Sequence, residues 1–246
     1  MLSAIVISYN SEKQMEDCLK CLTFCDEIIV VDGGSRDGTL AIARKYTAHA
    51  HSRPFDHFSA QKNYALSLAT QPWVLSVDTD EIITDKLKEE IQYVTSKSSS
   101  DYSAYRIPRK NIILGAHLAY GANKGDAPVR LFHREAAVFE GMIHEKLKVE
   151  GRVGTLRHPM IHYSTQTVWD YVDKLDRYTA LEAGCLARQN RPFRCLQLAV
   201  RPLLRFFQVY VVKQGFRDGF RGLIYAFMNS FYEFIRYVKF WELKRS

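Results

Sequence analysis

The sequence predicts an α/β fold, a mixed and mostly parallel sheet flanked by helices, with a helical extension at its carboxyl end. Three observations carry this. Apolar runs at residues 2–8, 27–32 and 73–78 each close on a polar or acidic side chain, as buried parallel strands do when they deliver functional groups to one sheet edge. Helical periodicity fills the intervals between those runs. From Thr167 onward the chain turns helical, basic and aromatic.

The first run, 2–8, opens into Ser8-Tyr9-Asn10. Ser11 is placed to cap a helix on which Met15, Cys18, Leu19 and Leu22 recur at helical spacing. A second strand ends at Asp32. Gly33 to Thr39 reads as a tight turn and 40–46 as a helix, so two strand-helix units imply right-handed crossovers. A short strand at 49–53, a helix at 59–70 and a strand from Trp73 to Val77 complete a first half over 1–95, with Asp80 or Thr84 as cap of a helix over 85–93. The second half, 96–165, has strand composition at 104–114, 128–133, 137–139, 142–149 and 159–163, without long helices between. Residues 1–165 are therefore expected to form one catalytic domain. Residues 166–246 form the extension, with helices at 169–189, 196–216 and 220–245.

A net charge of +7 favours an anionic partner. Nucleic acid is not that partner, because the cations gather with aromatics in the last helices and no nucleic-acid motif occurs. Those helices are interrupted by charge at Arg201, Arg205, Lys213, Glu233, Arg236 and Lys239, so they read as interfacial and not as spans. Packing against the catalytic domain, or an oligomer interface through these helices, is the alternative. The apolar run at 2–7 is too short, and lacks the basic flank, for a signal peptide. Cys18, Cys21 and Cys25 lie on the apolar face of the first helix, as small hydrophobes.

Chemistry is expected where the strands end. Asp78 and Asp80 follow a buried strand two residues apart, and a hard divalent cation would keep both ionised. Asp32 can accept the imide N–H of a pyrimidine base, and Gly33 and Gly34 let the chain turn close to a ligand, although Asp-Gly-Gly-Ser is also ordinary turn chemistry.

Taken together, Ser8-Tyr9-Asn10, Asp32-Gly33-Gly34-Ser35-Arg36-Asp37-Gly38-Thr39, Gln61-Lys62-Asn63 and Asp78-Thr79-Asp80-Glu81 resemble family 2 glycosyltransferases of the GT-A fold, a Rossmann-like sheet. Further matches at Arg130-Leu131-Phe132, Gly141 to Glu145, Ile161-His162-Tyr163 and Gly215 to Glu242 extend the resemblance over nearly the whole chain. It is strongest to the bacterial lipopolysaccharide-core glucosyltransferases of the WaaE/KdtX type. The resemblance implies a metal-dependent, inverting transfer of a sugar, glucose in that group, from a UDP-sugar to a lipopolysaccharide-core or other lipid-linked glycan. It implies that Ser8, Tyr9, Asn10, Asp32, Gly34, Gln61, Lys62, Asn63, Asp78, Thr79 and Arg130 bind the nucleotide sugar. Asp78 and Asp80 would hold Mg²⁺ or Mn²⁺, with His162 as a further ligand favouring Mn²⁺. Glu145 would be the general base, with His144 the runner-up and Glu140 third. The implied location is cytoplasmic, peripheral on the anionic inner face of the cytoplasmic membrane. A nucleotide-sugar-binding homologue without transfer activity, or a transferase acting on a polyprenyl phosphate or a protein, is the competing expectation.

Overall fold

A computed structural model describes residues 1–97, 101–141, 145–189 and 192–245. The chain divides into two compact units, Met1–Arg109 with Asp126–His162, and Lys110–Gly125 with Tyr163–Ser246.

In chain order the elements begin with β1 (Leu2–Ser8), α1 (Glu12–Lys20), β2 (Glu27–Asp32), α2 (Thr39–Tyr46) and β3 (Ala50–Ser52). They continue with α3 (Phe58–Leu68), β4 (Trp73–Asp78), β5 (Glu81–Ile82), α4 (Asp85–Ser96), β6 (Ala104–Arg106), β7 (Arg109–Ile113) and β8 (Ala116–His117). Then come β9 (Val129–His133), β10 (Ala137–Glu140), β11 (Lys146–Val149), β12 (Val153–Thr155) and β13 (Met160–Thr165). Three long helices follow: α5 (Val168–Arg188), α6 (Leu196–Phe207) and α7 (Gly219–Arg245).

The first unit is built on a seven-stranded sheet of order β12-β6-β9-β4-β1-β2-β3. Strands β4, β1, β2 and β3 are parallel, while β9 runs antiparallel to both β4 and β6. Both faces of the central strands are covered. Leu2, Ala4, Val6, Trp73, Leu75 and Val77 pack with Met15, Cys18 and Leu19 of α1 and Leu87 and Ile91 of α4. Ile5, Ile29, Val31 and Val74 pack on the other side with Ala65 and Leu66 of α3. Burial on two faces is why these strands read as near-continuous apolar runs. The register sets Ser8 opposite Asp32 and Ile7 opposite Asp78, so the three strand ends reach one edge at nearly the same level.

Local chemistry accounts for where the structure keeps to the sequence expectation and where it departs from it. Thr84 caps α4, accepting from the Leu87 N–H at 3.4 Å. Ser11 makes no side-chain cap on α1; its Oγ donates to the Tyr9 carbonyl and its N–H to Thr39 Oγ1. The run 104–114 is two strands, because Pro108 lacks the N–H that a continuous ladder needs. Strands β5 and β12 are too short to carry a periodic signal. Part of the strand expected at 142–149 lies outside the described residues; β11 occupies its remainder. Burial pushes the Cys21 thiol up to about 11 and the Cys25 thiol up to about 12, so both remain inert thiols.

In the second unit, β7 and β8 join through Leu114 and Gly115, both at positive φ (50° and 73°), the backbone of a two-residue hairpin turn. Thr167 and Asp170 form a reciprocal capping box at the start of α5. Glu182 of α5 accepts from Tyr232 Oη at 2.7 Å and Arg236 Nη1 at 2.8 Å, fastening α5 to α7. The helix expected over 196–216 stops at Phe207, passes into a π-helical turn at Gln208–Val212 and breaks at Gln214, whose φ is 61°. Gly222 fits the start of α7 beneath that break, since a Cβ there would stand 2.0 Å from the Gly215 carbonyl oxygen. Among the described residues no helix is long and apolar enough to cross a membrane.

Candidate active site

The loops after β1, β2 and β4 are tied to one another at the carboxyl edge of the sheet. Asp32, 1% exposed, accepts from Ser8 Oγ (3.0 Å), Ser35 Oγ (2.5 Å) and the N–H groups of Gly34 (3.0 Å) and Ser35 (2.8 Å). Its carboxylate therefore builds the turn, and Gly34 supplies the positive φ of 93° that closes it. Asn10 fixes the same loop from the other side: its N–H donates to Ser35 Oγ at 2.7 Å, and its Oδ1 accepts from the Arg36 N–H at 2.9 Å. Thr79 Oγ1 donates to Ser11 Oγ at 3.1 Å. Tyr9 and Phe55 stay exposed and both lie near Gly33, where a Cβ would meet Phe55 Cβ at 3.4 Å and Tyr9 Cδ2 at 3.6 Å.

Beneath this edge lies a buried network of charge. Asp78 Oδ2 accepts from Arg130 Nη2, and Asp78 Oδ1 lies 3.2 Å from Lys62 Nζ. Burial works against ionisation of Asp78, but the Arg130 and Lys62 charges outweigh it and hold the carboxyl far below the usual carboxylate range. Glu81, with no exposed surface, accepts from Arg130 Nη2 at 2.6 Å, Arg109 Nη1 at 3.2 Å and the Asp78 N–H at 3.0 Å. Arg109 also forms a two-pronged pair with Asp126 at 2.8 and 2.9 Å. Asp78 and Glu81 thus anchor a scaffold of two arginines. Asp80 lies between them in sequence with His162 beside it, Nε2 to Oδ1 3.6 Å, brought there by the pairing of β13 with β5.

Helix α3 links this network to the β10–β11 hairpin. Lys62, its side chain 4% exposed, places Nζ 2.8 Å from Glu145 Oε1 while reaching Asp78. Asn63 holds the backbone of Phe139 with both ends of its amide, at 2.8 and 2.9 Å, and Ser59 Oγ donates to the Gly141 carbonyl at 2.5 Å. Gln61 spends its amide on Arg53, through the Arg53 carbonyl and Nη1. Ser59, Lys62 and Asn63 of one helix therefore hold Gly141, Glu145 and Phe139. His144 lies outside the described residues. Glu140 is turned to Lys148 at 3.4 Å on the far strand of the hairpin.

The structure thus brings together Ser8, Asn10, Asp32, Gly34, Lys62, Asp78, Thr79, Asp80, Arg130, Glu145 and His162. It gives Arg130, Asn63 and Gln61 protein partners in positions where the sequence suggested ligand contacts. Glu81 and Arg109 were not picked out as site residues. Glu81 had a signal, as the last acid of the Asp-Thr-Asp-Glu run; Arg109, 28 residues beyond it, had none. A cavity of about 390 Å³ beside Pro72 and His133 lies at the amino end of β4, away from these groups.

Arg130 lends itself to a stability test. Replacing one partner of a buried ion pair strands the other, so Arg130→Met is expected to lower the unfolding free energy by about 3–5 kcal/mol, measured by urea denaturation. Unchanged stability with weakened nucleotide affinity would instead make Arg130 a ligand of the diphosphate.

The model of the family described as Glycosyl transferase family 2 matches residues 3–116, the stretch that holds every strand end described above. Residues 3–116 form a family 2 glycosyltransferase domain. This glycosyltransferase is 26% identical over 249 residues to the lipopolysaccharide core biosynthesis glycosyltransferase LpsC of Rhizobium meliloti, covering 98% of this chain and 92% of that protein. It is 27% identical over 254 residues to an uncharacterized glycosyltransferase of Rickettsia typhi, covering 98% of this chain and 87% of that one. Among solved structures, the mannosyltransferase PcManGT from Pyrobaculum calidifontis, in complex with GDP-Man and Mn²⁺, superposes with a TM-score of 0.54 at 13% identity over 98% of this chain and 86% of its own. Glucosyl-3-phosphoglycerate synthase from Mycobacterium tuberculosis, in complex with Mn²⁺, UDP-glucose and phosphoglyceric acid, superposes with a TM-score of 0.51 at 16% identity over 78% and 80% of the two chains. The fold is the GT-A arrangement, a mostly parallel central sheet flanked by helices, with a long helix at the carboxyl end.

Proposed function

We propose that this glycosyltransferase is a metal-dependent inverting enzyme that moves a sugar, glucose first among those to test, from a UDP-sugar to a lipopolysaccharide-core or other lipid-linked glycan, working peripherally at the inner face of the cytoplasmic membrane. The observation that carries the reading is the Lys62 ammonium set between Asp78, on the donor side, and Glu145, on the acceptor side. The likeness to LpsC supports the glycan acceptor.

In this reading the nucleotide lies over the loops after β1 and β2, its base against Tyr9 and Phe55. Ser8, Asn10, Asp32 and Gly34 shape that loop surface, while from α3 Gln61 braces Arg53 and Asn63 braces the backbone of Phe139. Asp80 and His162 fit a divalent cation: they are adjacent, and a carboxylate with an imidazole suits Mn²⁺, while Mg²⁺ and Mn²⁺ alike take remaining ligands from phosphate and water. When bound, Mg²⁺ or Mn²⁺ supplies charge neutralisation on the leaving diphosphate. Asp78, already engaged by two cations, would join the set through a carboxylate that Arg130 keeps in position. Glu145 would take the proton of the acceptor hydroxyl as that oxygen attacks the anomeric carbon from the face opposite the nucleotide.

Calorimetry with UDP, with and without Mn²⁺, tests the donor site, and a panel of nucleotide sugars assayed for slow hydrolysis tests turnover. Metal-dependent UDP binding with hydrolysis of one UDP-sugar is the expected result. Binding without hydrolysis or transfer would leave a nucleotide-sugar-binding homologue, and no UDP binding would end the proposal.

A further inference from the structure

Helix α6 presents an apolar stripe to solvent that none of the described residues covers. At 100° per residue, Leu196, Val200, Leu203, Leu204 and Phe207 fall within an arc of about 100°. Leu203 is 69% exposed, Leu204 62% and Phe207 56%, and no residue of the helix is buried. Val211 and Val212, also exposed, prolong the stripe into the π-helical turn. Phe206 is turned aside, stacking on Tyr210 and packing against Phe227 with centroids 5.4 and 4.7 Å apart, so four of the five stripe residues are aliphatic.

Charge decides what suits that face. Residues 183–217 contain seven Lys or Arg and no Asp or Glu. Arg201 and Arg205 flank the stripe and are braced against α7, Arg201 over the Tyr237 ring at 5.0 Å and Arg205 on Asn229 at 3.1 Å. A second copy docking through the same face would bring two acid-free basic segments together, and that repulsion works against self-association. A negatively charged bilayer answers both features, taking aliphatic side chains at the acyl boundary and cations among its headgroups.

We infer that the outward face of α6 is the surface by which this protein docks on an anionic lipid bilayer, with Leu203, Leu204 and Phe207 entering the headgroup boundary. The inference rests on the peripheral location proposed above and names the surface responsible for it. Co-sedimentation of the full chain tests it, using phosphatidylglycerol-phosphatidylethanolamine vesicles and, separately, pure phosphatidylcholine vesicles at low and high salt. The protein is expected to pellet with the anionic vesicles, to be released by salt and to ignore phosphatidylcholine. Leu203→Glu combined with Phe207→Glu should weaken partitioning by about tenfold or more, with UDP-sugar hydrolysis unchanged. Leu204→Ser, a milder change, should reduce it about threefold and serves if the double variant does not fold. The inference is overturned if the wild type stays in the supernatant with anionic vesicles at low salt, or if the folded variants pellet as it does. It is overturned equally if gel filtration reveals a dimer that the variants dissociate. Vesicle binding by a wild type that hydrolyses no UDP-sugar would uphold the surface and count against the enzymatic proposal alone.

Discussion

Asp80→Ala is expected to abolish measurable sugar transfer, a loss on the order of 10³-fold in kcat, while leaving the protein folded. The expectation follows from position. Asp80 is set between two residues committed to the arginine scaffold, Asp78 and Glu81, and its carboxylate is the one brought to His162. Removing it should leave the Arg130 and Arg109 pairs in place, so thermal unfolding should shift little, whereas cation-dependent UDP affinity should fall. Titrating activity with Mg²⁺ and Mn²⁺ separates the possibilities: a variant that recovers wild-type turnover at saturating metal has lost affinity only, and one that needs no recovery refutes the assignment.

The second large effect is at Glu145. Glu145→Gln should lower kcat by about 10²–10⁴-fold with UDP affinity and KM for the donor preserved. The amide oxygen of glutamine can still accept from Lys62 Nζ, now 2.8 Å from the carboxylate, so the loop keeps its tether while losing the group that takes a proton. Equal losses in kcat and in UDP affinity would assign Glu145 a structural duty and turn attention to His144 or Glu140.

Much of the fold was legible because burial on both faces writes itself locally. The runs of β1, β2 and β4 are mostly apolar, broken only by Ser3, Glu27 and Ser76, and each stops at the residue that meets the loops: Ser8, Asp32 and Asp78. What could not be read was which polar groups would spend themselves on one another. Arg130 and Asp78 are 52 residues apart, and Lys62 and Glu145 83 apart; no periodicity links them. A guanidinium suited to phosphate is equally suited to carboxylate, so residue type alone left Arg130 facing a ligand. Asn63 is similar. Its amide imitates a neighbouring strand for Phe139, a duty visible only once β10 lies beside α3. The extension was legible in composition, yet Phe206 and Tyr210 turn toward each other while the leucines turn outward, because the way α6 sits on α7 decides which of its side chains are covered.

With Asp78 serving the donor and Glu145 the acceptor, as proposed, the single ammonium of Lys62, shared by both carboxylates, would couple the two halves of the reaction. An incoming donor that competes for Asp78 would leave Lys62 more fully to Glu145, changing the hold on the loop that the acceptor must approach. Whatever factor the donor imposes on acceptor affinity, the acceptor must impose on donor affinity. Sequential binding with a preferred order would then be a property of one side chain, and a Lys62→Met enzyme would take its two substrates as strangers, each with an affinity indifferent to the other.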